Sequence, residues 1–171
     1  MRRALPVAQA AARTFVTSLR PTDPLALVRF ADRVVVEHEF SDRRQTTTDA
    51  IDRLQAVGGT ALWDALHDSM QMLKQRSGRR AIVLLSDGRD ENNPGTAPGS
   101  VRPLDEVLAS VREAGATVYA IGLGPKVDRV TLERVAAESG GEAYFPADVA
   151  SLAGDYRRIL ERKDVDALLI A

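Results

Sequence analysis

The segment Ala81-Ile82-Val83-Leu84-Leu85 is an unbroken apolar run of strand length. It follows a turn signal at Ser77-Gly78 and stops at Ser86-Asp87-Gly88. A strand that is apolar at every position has both faces buried, the situation of a parallel strand with helices packed above and below it. Parallel neighbours need a crossover between them, usually a helix. The run therefore constrains the rest of the chain, because strands and helices have to alternate around it.

The chain meets that demand. Downstream the pattern predicts a helix near 103–114, a strand at 116–123 and a helix near 128–139. After Gly140-Gly141 it predicts a short strand at 142–146 and a helix at about 149–163, before a last apolar stretch from Val165 to Ala171. Upstream, residues 4–19 place Leu5, Ala8, Ala12, Phe15 or Val16, and Leu19 on one helical face. Arg20-Pro21-Thr22-Asp23-Pro24 breaks that helix. Leu25–Phe30 and Arg33–Glu39 read as β-strands joined by a tight turn at Ala31-Asp32. Thr46-Thr47-Thr48 is expected to cap a short helix carrying Ile51, Leu54 and Val57. Gly58-Gly59-Thr60 ends that helix and opens another, with Leu62, Leu66, Met70 and Leu73 inward. The fold expected for residues 1–171 is α/β: a doubly wound, mostly parallel, Rossmann-like sheet with helices on both faces.

Composition narrows the function. The 171 residues suffice for one domain with a substantial core. Lys plus Arg number 23 against 24 Asp plus Glu, a formal net charge of −1, which argues against a nucleic-acid partner that would need a basic face. There is no cysteine, so disulfide scaffolds, thiol catalysis and cysteine-ligated zinc are excluded. No run approaches the roughly 18–20 apolar residues of a membrane span, and the Ala-rich start reads as a helix rather than a signal peptide. Signals of catalysis are weak. Gly122-Leu123-Gly124 resembles half a dinucleotide fingerprint, but Pro125 interrupts it and Val127 stands where the third glycine belongs. Ser86-Asp87-Gly88 lacks the flanking glycine of a nucleophile elbow. His38 and His67 are isolated and read as structural. The chain is expected to bind rather than catalyse.

Three segments read together resemble the von Willebrand factor type A (VWA) family: Gly58-Gly59-Thr60-Ala61-Leu62, Leu84-Leu85-Ser86-Asp87-Gly88 and Val118-Tyr119-Ala120-Ile121-Gly122-Leu123-Gly124. Leu25–Phe30 fits the family's second strand, so the resemblance covers nearly the whole chain. It implies a protein–protein interaction or adhesion-type module with a divalent cation, Mg²⁺ or else Ca²⁺ or Mn²⁺, at the carboxyl edge of the sheet. In the family this metal-ion-dependent adhesion site (MIDAS) draws on an Asp-x-Ser-x-Ser turn after the first strand, a Thr and an Asp. An acidic residue of the partner then completes the coordination. Thr60 matches the Thr and Asp87 the Asp, and both are hard oxygen ligands of the kind Mg²⁺ prefers. A secreted or cell-envelope setting is suggested by family analogy alone.

The chain departs from the family at one place. It has no Asp-x-Ser-x-Ser, and it begins at the helix that should follow the first strand. The simplest reading is that the sequence starts one strand late; a metal-free relative is the other. Weak or absent metal binding is expected in either case. Apart from the resemblance, Thr60 reads as a helix N-cap, Asp87 as a turn residue, Asp90 and Glu91 as solvated loop, and Trp63 as packed or half-exposed. A metal-independent assembly domain is the rival function. The family strand order, 3-2-1-4-5-6, leaves a central gap where strand 1 belongs. The stretch 165–171 is either an extra strand, with Ala167-Leu168-Leu169-Ile170 entering that gap and Ala171 near Met1, or the start of a linker.

Overall fold

The computed structural model describes residues 5–55, 58–147 and 151, together with the backbone of 166–170. The order of elements is α1 (Leu5–Ser18), β1 (Leu25–Phe30), β2 (Val34–Ser41), α2 (Arg44–Arg53), α3 (Leu62–Lys74), β3 (Arg80–Ser86), α4 (Leu104–Ala114), β4 (Ala116–Gly122), α5 (Arg129–Glu138), β5 (Ala143–Tyr144) and β6 (Asp166–Ile170). The helix expected at about 149–163 lies outside the described residues apart from Ser151, as do Val57, Met1 and Ala171.

Period-two alternation on the central strands builds two separate cores. Ala26, Val28 and Phe30 of β1, Ile82 and Leu84 of β3, and Val118 and Ala120 of β4 pack with α3, α4 and α5. Leu25 and Leu27, then Ala81, Val83 and Leu85, then Tyr119 and Ile121, pack on the opposite face with α1 and α2. Residues 81–85 are all at most 3% exposed. Burial on both faces is what the unbroken run required.

The strand order is β2-β1-β6-β3-β4-β5. Only β2 is antiparallel to its neighbour; every other pairing is parallel. β6 runs between β1 and β3. On one side Leu25 to Val28 align with Ala167 to Ile170, and on the other Arg80 to Leu84 align with Asp166 to Ile170. The C-terminal stretch thus occupies the place between the two inner edges where the family order leaves its gap.

Helix starts differ from the sequence reading at two points. The threonines 46–48 lie inside α2, whose N-cap is Arg43 with no side-chain cap bond. Thr47 is fully buried, and the Thr48 hydroxyl donates back to the Arg44 carbonyl at 3.3 Å. The N-cap lies three residues ahead of Thr46, where Arg44 is anchored: its guanidinium donates to the carbonyls of Arg20 and Asp23. Thr60 is not the N-cap of α3 either. That position is Ala61, which supplies no side-chain acceptor.

The insertion of β6 gives a stability prediction. Proline removes a ladder donor and is tolerated in sheets essentially only at edges and bulges, and a buried carbonyl left unpaired costs about 1–3 kcal/mol. Leu168→Pro is therefore expected to lower stability by at least about 2 kcal/mol, measured by urea denaturation followed by circular dichroism. An unchanged midpoint would mean that residues 166–170 do not pair with the sheet.

Candidate functional site at the carboxyl edge

Strands β1, β3 and β4 point their carboxyl ends to one edge, where doubly wound folds bind ligands. The turn after β1, the Gly58–Ala61 segment, the loop from Asp87 to Pro103 and the loop after β4 gather there. Main-chain bonds hold Gly58–Ala61 on both sides. Ala61 N–H donates to the Ala31 carbonyl at 2.7 Å, and Gly59 N–H donates to Asp32 Oδ1 at 2.6 Å. On the other side Thr60 N–H donates to the Glu91 carbonyl at 2.7 Å. Two glycines permit this fit. Gly58 has φ +77°, and any Cβ there would collide with the Asp32 carboxylate. A Cβ on Gly59 would lie 2.6 Å from the Glu91 carbonyl oxygen.

The result is a fixed Thr60. The residue is 5% exposed, and its hydroxyl has no hydrogen-bond partner among the described residues. Asp87 follows β3 directly. Its Oδ1 accepts from Arg89 N–H at 3.2 Å, and its main-chain carbonyl accepts from Asp128 N–H at 2.8 Å, which ties this loop to the one after β4. The structure therefore brings the Thr60 and Asp87 loops to one edge, joined through Glu91 four residues beyond Asp87. Among the described residues no three His, Cys, Asp or Glu side chains gather in a metal-holding group.

Asp90 does more here than a solvated loop residue. Its Oδ1 accepts from Leu62 N–H at 2.8 Å, from Trp63 N–H at 3.4 Å and from the Ser100 hydroxyl. Its Oδ2 accepts from the N–H groups of Gly99 and Ser100 at 3.1 and 3.0 Å. Ser100 Oγ in turn accepts from Trp63 and Asp64 N–H at 3.0 and 3.1 Å. The orphan donors of the first turn of α3 are thus satisfied by residues far along the chain, and a carboxylate sits at the positive end of the helix dipole. Asp64 reciprocates, accepting from Val101 N–H at 2.8 Å and Arg102 N–H at 3.1 Å. This exchange clamps the 87–103 loop onto α3. Helical spacing marks Asp64 as a first-turn acid, but nothing local marks Asp90, Ser100 or Asp32, whose partners lie 9 to 37 residues away.

The other singled-out residues take structural places. Trp63 is 9% exposed and packs into the α3-side core. The His67 ring contacts Asp68 and Gln71, and His38 Nδ1 contacts the Glu39 carbonyl at 2.8 Å.

Asp90 and Asp87 should respond differently to mutation. Asp90→Ala strips a partly buried carboxylate from several charge-assisted bonds, so a loss of about 2–3 kcal/mol is expected. Asp87→Ala, which removes one turn bond, should cost less than about 1 kcal/mol. Chemical denaturation of both variants checks the order, and equal losses would contradict the clamp.

Comparison with known proteins agrees with this geometry. The model of the von Willebrand factor type A domain matches residues 2–157. A UPF0353 protein of Mycobacterium tuberculosis is 26% identical over 91% of this chain and 52% of its own length, so the chain spans about half of such relatives. The solved von Willebrand factor type A structure from Catenulispora acidiphila superposes with a TM-score of 0.75 at 23% identity, covering 91% of this chain and 37% of that one. The vWF domain of the type V pili tip protein Mfa5 from Porphyromonas gingivalis gives 0.70 at 14% identity, covering 92% and 87%. Likeness at these identities shows the fold, and the matched family model assigns the membership: the chain belongs to the von Willebrand factor type A domain family.

Proposed function

We propose that this chain is a protein-binding module that works through the carboxyl edge of its sheet, with no catalytic role. Thr60 and Asp87 supply two of the oxygens of a divalent-cation site that the chain by itself does not complete. The observation that supports this reading is the Thr60 hydroxyl. The Thr60 N–H is held by the Glu91 carbonyl and its neighbours Gly59 and Ala61 by Asp32 and Ala31, yet the hydroxyl has no partner among the described residues. A fixed, unspent oxygen at the same sheet edge as a strand-end carboxylate suits a hard cation.

Two side-chain oxygens are nevertheless too few. Mg²⁺ asks for near-octahedral oxygen coordination and gives up its waters reluctantly. The donor set of this chain does not fit a resident Mg²⁺, and titration calorimetry with MgCl₂, CaCl₂ or MnCl₂ should show no micromolar binding. The missing ligands can be supplied by design. β6 runs parallel to β1 and β3, so its carboxyl end points to the edge that carries Thr60 and Asp87. Appending an Asp-x-Ser-x-Ser segment after Ala171 should create Mg²⁺ binding, and Asp87→Ala in the extended chain should abolish it. Micromolar binding by the unextended chain, or binding by the extended chain that survives Asp87→Ala, would contradict the assignment.

A metal-independent assembly role has one observation in its favour. The loops at this edge are locked to one another by hydrogen bonds of Asp90, Asp64 and the main chain. A chelator separates the two modes, since it abolishes metal-bridged binding and leaves direct docking intact.

A further inference from the structure

Among the described strands, β2 is the long free edge of the sheet. It pairs with β1 on one side only, whereas the opposite edge, β5, is two residues long. A short edge strand offers little to pair with, but eight residues with open N–H and C=O groups can template another strand. The regular part of β2 is Val34-Val35-Val36, aligned without a break against Phe30, Arg29 and Val28. Beyond Val36 the register shifts twice before Ser41, so the strand bulges and its second half makes a poor edge.

Three consecutive β-branched residues favour extended backbone, but on a free edge they leave apolar surface in water. Val35 is 36% exposed and Val36 42%. Charges flank them on both sides. Arg33 is exposed, and its guanidinium has no ion pair or hydrogen bond among the described residues. Glu37 accepts from Arg29 Nε through Oε1 at 2.7 Å, leaving Oε2 without a partner among the described residues. Asp32, the next charge outward, is spent on Gly59 N–H.

The order Arg33-Val34-Val35-Val36-Glu37 is complementary to itself read backwards. An antiparallel pair with a two-fold axis at Val35 sets Val35 opposite Val35 of the second copy, and Val34 opposite Val36 twice over. It also sets Arg33 of each copy opposite Glu37 of the other. Apolar and opposite-charge pairs directly across an antiparallel ladder are the ones that stabilise it. Alternation of the side chains requires the axis to sit on a residue. Moved to Val34, it sets Arg33 against Val35; moved to Val36, it sets Val35 against Glu37 and carries the pairing into the bulge. Charges on an edge ordinarily keep other strands off. The signs here favour one partner, a second copy.

We infer that β2 is a homodimer interface, through which two copies of this chain join their six-stranded sheets across residues 34–36. The two-fold axis turns the carboxyl ends of the two sheets in opposite directions, so the edges carrying Thr60 and Asp87 stay clear of each other. The inference is separate from the reading of that edge as a binding site, and neither needs the other. A contact about five residues long buries little area, so the dimer is weak and concentration-dependent.

The chain has no cysteine, which permits a direct test. Opposed residues of an antiparallel pair have Cα atoms about 4.5–5.5 Å apart, within the reach of a disulfide. Val35→Cys should therefore cross-link as a dimer in oxidised glutathione at least about tenfold faster than Val101→Cys, although Val101 is 91% exposed. In sedimentation equilibrium at up to about 1 mM, the mass of the parent chain should rise from 18.5 kDa toward twice that value. Arg33→Glu and Glu37→Arg, each alone, set like charges opposite one another and should weaken association at least about fivefold. Mixing the two variants restores opposite charges at both pairs and should recover it. A monomer over the whole concentration range, or equal cross-linking of the two cysteine variants, would overturn the inference. So would a dimer that the charge variants leave unchanged, or a mixture of folded charge variants that fails to associate.

Discussion

Main-chain pairing of β6 with both β1 and β3 is the contact on which the sheet depends. Without it the sheet is two pieces: the β1–β2 hairpin and the parallel set β3-β4-β5. Each piece would turn an inner edge of unpaired N–H and C=O groups toward the other. Such groups cost about 1–3 kcal/mol each when buried, against about 5–15 kcal/mol for the stability of a whole domain. Every residue from Ala167 to Ile170 aligns with a partner on both sides, so a short strand joins both halves. It also brings together the helices above the sheet, because α3 packs on β1 and β6 while α5 packs on β4, with α4 between the two helices.

That join sets the functional edge. The turn after β1 carries Ala31 and Asp32, which grip Gly58–Ala61 from one side; the loop after β3 carries Glu91, which grips it from the other. The separation of the two grips is the separation of β1 from β3, and β6 fixes it. Asp90, Ser100 and Asp64 then bind the loop to the first turn of α3. Thr60 and Asp87 are therefore positioned by backbone geometry and by side chains that belong to no ligand set. An edge built this way is preorganised, which lowers the ordering cost of binding.

The amino-acid sequence revealed the frame because burial on two faces leaves an unmistakable pattern. The β-rich run Leu25–Phe30 and the apolar run at 81–85 marked β1 and β3 to within a residue, and the inward face of α3 follows the helical spacing of Leu62, Leu66, Met70 and Leu73. What escaped was set by contacts between distant segments. Thr46–Thr48 offered good local capping chemistry, but Arg44 bonding to the 20–23 turn drew the helix start ahead of them. Asp90 looked like an ordinary loop acid, since its helix-capping role exists only once the chain folds back over 28 residues. Thr60 and Asp87 were visible only through family resemblance; locally, a Thr after two glycines and an Asp before a glycine are turn chemistry.

Hydrogen exchange at residues 166–170 tests the account most directly. Amides in a strand paired on both sides exchange only when the sheet opens, so those of Leu168 and Leu169 should show protection comparable to Val83 and Leu84 in β3, near the global stability. All of them should lose protection together in denaturant. Exchange of Leu168 and Leu169 at the rate of an unstructured peptide, with β3 still protected, would show that the sheet holds without β6 and would contradict the account.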